Sequence, residues 1–391
     1  MRKVYMDHGA GMPLDPIVFD AMKPYFFEKY GNPSSSHSFG NSANSALTAS
    51  REKIAELVAA EKPEEVIFTS GGTESNNLAI KGVAFRNREK GSHIITTAIE
   101  HISVINICKY LQKQGFEVTS IPVDKQGVVN LEKLKDAVND KTILISVQYA
   151  NGEVGTIQPI KEIGKIAQEN NIYFHVDAVA AAGQVPINVK EENIDLLSLS
   201  SNDMYGPKGV GALYIKKGTK IQPIIQGGGQ ERGLRSGTEN IPGIVGMGKA
   251  AEFAKMEMKS ESTRLARVRD KLINDVLGKI EYSFLNGHPV KRLPNNANLR
   301  FSYIEGESLI LSLDMLGIQV SSGSACTSKT LEASHVLLAM GLAHEEAHGS
   351  LVFTLGKQNS EEDVDYVVEV LPNVVKRLRA LSPLTPKEIL R

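Results

Sequence analysis

Three separate stretches of this sequence carry residues that could bind a small molecule. Gly71, Gly72 and Thr73 follow an apolar run, and paired glycines allow the tight turn that opens a helix. The free N–H groups and positive dipole end of such a helix bind a phosphate well. His101 follows a second apolar run. A lone histidine at such a place is usually a structural residue with hydrogen-bond partners. Asp177 follows a third run, where a carboxylate either caps a helix or contacts a ligand.

The two cysteines of the chain have different surroundings. Cys326 lies among Ser, Gly, Ala and Thr residues in 320–328, and such neighbours favour an exposed, reactive thiol over a buried structural one. Cys108 lies on the apolar side of a predicted helix at 104–108, which indicates a core residue. Two cysteines do not make a disulfide framework.

The stretch 196–215 carries the most specific signal. An apolar run ends at Ser200, Gly-Pro-Lys-Gly follows, and a β-prone run closes the stretch, which predicts a strand, a loop and a second strand. The loop resembles the lysine loop of the cysteine desulfurases of the NifS/IscS type, which reads Ser-x-His-Lys. Ser200, Asn202 and Asp203 stand at the matching positions. Asp203 therefore replaces the family's lysine.

This replacement changes what the resemblance implies about the cofactor. In the family, the lysine bonds covalently to pyridoxal phosphate, and a carboxylate cannot make that bond. A carboxylate beside the anionic cofactor also costs about 3 kcal/mol per unit charge at about 5 Å and an effective dielectric near 20. Pyridoxal phosphate is therefore a doubtful cofactor for this chain. Lys208 offers an alternative amine, but Gly-Pro-Lys-Gly belongs to the family pattern itself and lies beyond a turn.

Other motifs of the family occur in order along nearly the whole chain. The run 69–77, Thr-Ser-Gly-Gly-Thr-Glu-Ser-Asn-Asn, matches the family's phosphate turn and implies Gly72 and Thr73 as phosphate ligands. By the same resemblance, His101 would stack on the pyridine ring and Asp177 would keep the ring nitrogen protonated.

Two further contacts to the cofactor are implied in the same way. Ser200 would contribute one of them. Thr238, in the segment 227–240, would reach the phosphate bound to the other subunit, which implies a homodimer with shared sites.

Several positions near the expected cofactor and substrate depart from the family pattern. Gly152 and Ala180 replace the family's Asn and Gln, which approach the ring oxygen of pyridoxal phosphate. Val352 replaces the family's Arg, which binds the substrate carboxylate. An aliphatic side chain cannot replace the bidentate hydrogen bonds of an Arg–carboxylate pair. Cys326 and the dimer segment, in contrast, are retained.

Composition limits the classes of function. The chain has 391 residues, 41% of them hydrophobic, and a net charge of −1. That balance does not favour a nucleic-acid partner or an anionic membrane, and no apolar segment has the length of a membrane span. The N-terminal residues contain no apolar leader, so we expect a cytoplasmic protein.

The order of elements predicts an α/β fold with a mostly parallel seven-stranded sheet. The resemblance implies that this sheet belongs to an aminotransferase-like large domain, which is followed by a smaller α+β C-terminal domain. The large domain is assigned to 14–255, and the small domain to 1–13 and 256–391 with the Cys326 loop. Strands are predicted at 66–69, 94–97, 118–121, 142–147, 172–176, 196–200 and 210–215. Ligands bind such sheets at the carboxyl ends of their strands.

Two functions follow as hypotheses. The first is a degenerate cysteine desulfurase that acts in iron–sulfur cluster assembly as the dimeric partner of a scaffold protein of the IscU type. Cys326 would be a cluster or metal ligand, so that an iron–sulfur cluster is shared, or a sulfur carrier. The second is a desulfurase or related lyase that binds pyridoxal phosphate noncovalently. A cofactor-free binding module is a third reading, against which the retained His101 and Asp177 count.

Overall fold

A computed structural model describes residues 2–323 and 333–389 of the chain. Its centre is a seven-stranded sheet in the order β2-β8-β7-β6-β5-β3-β4. The strands are β2 (Val66–Thr69), β3 (His93–Thr97), β4 (Glu117–Ile121), β5 (Thr142–Gln148), β6 (Tyr173–Asp177), β7 (Leu196–Ser200) and β8 (Gly211–Ile215). Every residue of β5, β7 and β8 is buried. Such fully buried, apolar strands are typical of sheets covered on both faces.

The sheet is parallel except at β8, which runs antiparallel to both β2 and β7. The mostly parallel sheet predicted from the sequence is thus confirmed. Helices cover both faces: α1 (Pro16–Met22), α2 (Pro24–Phe27), α3 (Ser38–Leu57), α4 (Gly72–Arg86), α5 (Ile102–Lys113), α6 (Leu131–Ala137) and α7 (Ile160–Glu169). Two apolar cores result, one on each side of the sheet.

A smaller unit with its own sheet follows. The 39-residue helix α8 (Ile241–Lys279) packs on α3 at its start and on the smaller unit at its end. The elements of this unit are β1 (Val4–Tyr5), β9 (Ser283–Asn286), β10 (Asn296–Phe301), α9 (Gly306–Asp314), β11 (Ile318–Gln319), α10 (His335–Ala339), α11 (His344–His348), β12 (Ser350–Thr354) and α12 (Glu361–Leu381). They enclose a separate apolar core. The domain limits at 13/14 and 255/256 remain a prediction, and the second lies within α8.

The N-terminal strand of the chain belongs to this smaller unit. Strand β1 pairs in parallel with β11, and β9, β10 and β12 form a three-stranded antiparallel sheet. None of the helices in the described ranges is long and apolar enough to cross a membrane.

Candidate functional site

The carboxyl edge of the large sheet brings together most of the residues singled out from the sequence. Gly72 follows β2, His101 follows β3, Asp177 ends β6 and Ser200 ends β7. Because β2, β3, β6 and β7 run in one direction, these four positions share one edge. Strand β8 begins at this edge, where Gly211 is opposite both Thr69 and Ser200.

The phosphate turn has the geometry that its glycines allow. Gly71 has φ +152°, which an L side chain rarely adopts, and no side chain caps α4. The first N–H groups of the helix are therefore left for a ligand. The space beside Gly72 is narrow, because an added Cβ would lie 2.5 Å from Val179 Cγ2. Thr73 is exposed at the same helix end.

His101 and Asp177 are joined by a chain of hydrogen bonds through two residues that sequence reasoning missed. Asn76 Nδ2 donates to Asp177 Oδ2 at 2.7 Å and to Ser103 Oγ at 3.0 Å. Ser103 Oγ lies 2.7 Å from His101 Nδ1, and the Ser103 N–H donates to the same nitrogen. Nδ1 is thus an acceptor, which assigns the proton of a neutral ring to Nε2.

Asp177 is the buried anchor of this chain of hydrogen bonds. Its side chain also accepts the Val179 N–H at 3.0 Å. Burial raises the pKa of Asp177, while the hydrogen bonds from Val179 and Asn76 and the charge of His101 act in the opposite direction. The carboxyl of Glu100 lies nearby, and burial raises its pKa to about 8.

Asp203 lies in a single 3-10 turn, Asn202–Met204, directly after β7. Burial raises the pKa of its carboxyl to about 6, and the charge of Asp177 adds to that increase. The side chains of Ser200 and Asn202 interact with the carboxyl and lower its pKa in part. Asn202 Oδ1 is buried, with no hydrogen-bond partner among the described residues. Asp177 and Asp203 thus give this edge two interacting carboxylates.

Lys208, the alternative amine, contacts the N-terminal segment. Its Nζ donates to the Met12 carbonyl at 3.2 Å, so the ammonium is held by the N-terminal segment. The side chain is exposed beyond the turn, as the sequence pattern indicated.

Two of the positions that depart from the family pattern lie side by side. An added Cβ on Gly152 would lie 3.5 Å from the Ala180 Cβ. The two positions at which the family has polar residues are therefore direct neighbours. Val352 is buried in β12, and its N–H donates to the Ser321 carbonyl at 2.8 Å. Val352 therefore adjoins the stem of the segment that carries Cys326.

Two further predicted residues are Cys326 and Thr238. Cys326 lies outside the described residues. Thr238 is exposed in the loop before α8. Its segment is held by Glu231, which is buried and paired with both terminal nitrogens of Arg51 at 2.6 and 2.7 Å. Glu231 also accepts the Phe68 N–H at 2.8 Å, which ties the segment to β2.

A metal ion is not suggested by the described side chains. Within 2–323 and 333–389, no three His, Cys, Asp or Glu residues are grouped so as to bind one. Cys108, in α5, is buried as predicted, and burial raises the pKa of its thiol to about 12.

Together, the sheet order, the phosphate turn and the buried Asp177 define a protein with an aminotransferase-like fold. Residues 4–367 match the aminotransferase class-V family, and the chain belongs to it. Cysteine desulfurase IscS 1 of Archaeoglobus fulgidus is 58% identical over 380 residues, which is 97% of this chain and 99% of that protein. Cysteine desulfurase IscS of Methanosarcina thermophila is 57% identical over 387 residues, 99% of this chain and 95% of that protein.

Solved structures give the same result. A NifS-like protein superposes with a TM-score of 0.90 at 39% identity, covering 96% of this chain and 100% of the other. The aminotransferase-like fold predicted from the sequence is thereby confirmed, as is the similarity to cysteine desulfurases of the NifS/IscS type.

Proposed function

We propose that this chain is a degenerate cysteine desulfurase that has kept a role in iron–sulfur cluster assembly without releasing sulfur from cysteine. The observation that carries the proposal is Asp203. A carboxylate coupled to Asp177 occupies the loop position at which the family pattern has its lysine. The high identity to two proteins named cysteine desulfurase IscS supports the link to sulfur and iron–sulfur chemistry.

The residues at the sheet edge fit only part of pyridoxal phosphate. Gly72 and the open start of α4 suit its phosphate, and Asp177 suits a protonated ring nitrogen. The neighbouring amine, that of Lys208, donates to the Met12 carbonyl at 3.2 Å. Gly152 and Ala180 offer no side-chain hydrogen bond to the ring oxygen. A covalently held pyridoxal phosphate therefore does not fit this chain.

The family's arginine, which binds the substrate carboxylate, is also replaced. Val352, at the position of the family's arginine, is an aliphatic residue buried in β12. It cannot hold a carboxylate, so free cysteine would lack both the reactive amine and the charged contact. These two losses together support the loss of desulfurase activity.

The retained role would use Cys326. In the proposal, the chain acts as a homodimer, places the Cys326 thiolate against a scaffold protein of the IscU type, and supplies a cluster ligand or carries sulfur. Thiolates are soft ligands suited to iron–sulfur clusters. Thr238, exposed in a segment held by the Glu231–Arg51 pair, would reach the second subunit.

The test is cluster assembly on a scaffold protein with iron and inorganic sulfide. Cys326→Ala should reduce the yield or stability of the cluster, because a ligand is lost. Cys108→Ala is the matched control: its thiol is buried in α5, so cluster formation should be unchanged. Equal assembly by the parent and Cys326→Ala proteins would contradict the proposal.

A second function is favoured by one observation. The His101–Ser103–Asn76–Asp177 chain of hydrogen bonds is complete, and it would orient the ring of a noncovalently bound cofactor. In that case the protein would be a desulfurase or related lyase that holds pyridoxal phosphate through Gly72, Thr73, Ser200 and Thr238. Sulfide release from L-cysteine with added pyridoxal phosphate would establish this function in place of the first.

A further inference from the structure

The large sheet has a second cleft at its opposite edge, where the parallel strands begin. This amino-edge cleft has a volume of about 410 Å³, and its lining comes from the starts of β5 and β6, the turn before β7 and the ends of α4 and α7. The strands are five to seven residues long, so their full length separates the cleft from the candidate site at the carboxyl edge.

The most buried residue of the lining is Asn87, which is 2% exposed and has an unsatisfied acceptor. Its Nδ2 donates to the Val83 and Lys220 carbonyls at 2.8 and 2.9 Å. Its Oδ1 is also buried, with no hydrogen-bond partner among the described residues. Because a buried acceptor without a donor is unfavourable, a ligand that brings an N–H group to this oxygen is favoured.

Two helix ends direct further acceptors at the cleft. Asn87 is the C-cap of the 15-residue helix α4, and Asn170 is the C-cap of the 10-residue helix α7. The last carbonyls of a helix lack intrahelical donors and carry the negative end of its dipole. Asn170 Nδ2 donates to the Ile166 carbonyl at 2.8 Å, so the oxygen of this amide is the atom that a ligand can use. These groups favour a cation with several N–H donors.

Two carboxylates lie on either side of the cleft. Asp195 directly precedes β7, and Asp140 precedes β5 by two residues. Because β6 lies between β5 and β7 and neighbouring strands are about 4.8 Å apart, the two carboxylates are about 10 Å apart. Asp195 is held in place, since its Oδ2 accepts the Phe174 N–H at 3.0 Å. A ligand that pairs with both carboxylates needs a cationic group at each end.

The rest of the lining suits an aliphatic chain between two such groups. Ile143 and Ile172 supply its apolar surface. Two lysines are also present: Lys90 is exposed, and Lys216 is 48% exposed with its Nζ 3.3 Å from Asp195 Oδ1. An ion pair this exposed contributes little to stability, so the ammonium of a ligand can displace that of Lys216.

We propose that the amino-edge cleft binds a linear aliphatic diamine. One ammonium would lie at Asp195 and Asn87 Oδ1, the other at Asp140, and the methylene chain would cover the two isoleucines. An extended 1,4-diamine has its nitrogens roughly 6 Å apart and forms charged hydrogen bonds of about 2.8 Å at each end, which is comparable with the gap between the carboxylates.

A metal ion matches the cleft less well than a diamine. Within 2–323 and 333–389, no three His, Cys, Asp or Glu residues are grouped so as to bind one. The inference goes beyond the proposed function, since it concerns the other edge of the sheet.

The test compares two amines with the same four-carbon chain, 1,4-diaminobutane with two ammonium groups and 1-aminobutane with one. Calorimetric titration of the purified full-length protein is done at low ionic strength, where charge pairs are least screened. The Kd for the diamine should be at least about tenfold lower than that for the monoamine, as expected for one additional charge-assisted hydrogen bond.

Variants assign the two ends of the diamine. Asp140→Asn should bring the two Kd values to within about twofold of each other, and Asp195→Asn should raise both by about tenfold or more. Lys216→Met should lower both by about threefold, because it removes the competing ammonium from Asp195. Asp20→Asn, which changes an exposed carboxylate of α1, is the matched control and should leave both Kd values unchanged.

The inference is overturned if the parent protein binds no diamine, if 1-aminobutane binds as tightly, if Asp140→Asn keeps the preference, or if Lys216→Met weakens binding. Asp140 and Lys216 are both exposed, so these variants should fold, and circular dichroism is the control. These outcomes are distinct from a failure of the proposed function, which is read from sulfide release and cluster assembly.

Discussion

Replacing Asp203 by Asn should make the protein more stable at neutral pH. In the folded protein, burial and the charge of Asp177 raise the pKa of the Asp203 carboxyl from 3.8 to about 6. Ionising it in the folded state therefore costs about 3 kcal/mol more than in the unfolded chain. Because the side chain is only partly buried, and Asn must keep the contacts with Ser200 and Asn202, we expect a gain of about 1–3 kcal/mol.

The pH dependence separates this effect from a change in packing. A carboxyl with a raised pKa binds its proton more tightly when folded, so its cost is nearly absent below about pH 3, grows mainly between about pH 4 and 6, and is nearly constant above about pH 7. The gain from Asp203→Asn should thus be full at pH 8 and fall to about one third at pH 4.5.

The assay is differential scanning calorimetry of both proteins at these two pH values. For a chain of 391 residues, 1 kcal/mol corresponds to about 1 °C in Tm, so the variant should melt about 1–3 °C higher at pH 8. Asp140→Asn, which changes an exposed carboxylate, should shift Tm by less than about 0.5 °C at both. A Tm that falls in Asp203→Asn, or a difference that does not change with pH, would refute the reasoning.

Three further predictions concern the groups that surround the site. Glu231→Ala should lower the free energy of unfolding by about 3–5 kcal/mol, since it leaves the Arg51 guanidinium without its carboxylate and the Phe68 N–H without its acceptor. Urea titration measures this, and a loss below about 1 kcal/mol would contradict it. Asn76→Ala should cost about 1–3 kcal/mol in the same titration, because Asp177 loses a buried donor, and an unchanged midpoint would show that the bond contributes nothing. Cys108 should stay unmodified by iodoacetamide in the folded protein at pH 8, since burial raises the pKa of its thiol to about 12, and should react in urea; alkylation of Cys108 without denaturant, seen by mass spectrometry, would disprove this.

The strands of the large sheet could be predicted from sequence because their signal is local. Seven apolar runs separated by turns or amphipathic segments became seven strands, with ends that differ by one residue at most. The antiparallel direction of β8 was not predicted, although the short connection after Ser200 indicates it. A connection of about ten residues without a helix cannot return the chain to start a parallel neighbour.

The candidate site was predicted only where a residue directly ends a strand or opens a helix. Asp177, Ser200 and Gly72 satisfy that condition, and the structure places them at one edge. Asn76 and Ser103 lie within helices, where a polar residue gives no local sign that it is buried. The Arg51–Glu231 pair joins positions 180 residues apart, so only the folded chain brings it together.

The repulsion between Asp203 and Asp177 could not be inferred from sequence either. It depends on how close β6 and the 3-10 turn after β7 come at the sheet edge, and on how much water that edge excludes. The identity of the residue at 203 was visible in the sequence, whereas its energetic consequence required the fold.

Sulfide release from L-cysteine is the most direct test of the central claim that this protein no longer acts as a desulfurase. The purified parent protein, with excess pyridoxal phosphate and reductant, is assayed beside Asp203→Lys and a protein-free control. We predict release by the parent that does not exceed the protein-free control. Release well above that control would contradict the account and establish an enzyme that works without the lysine.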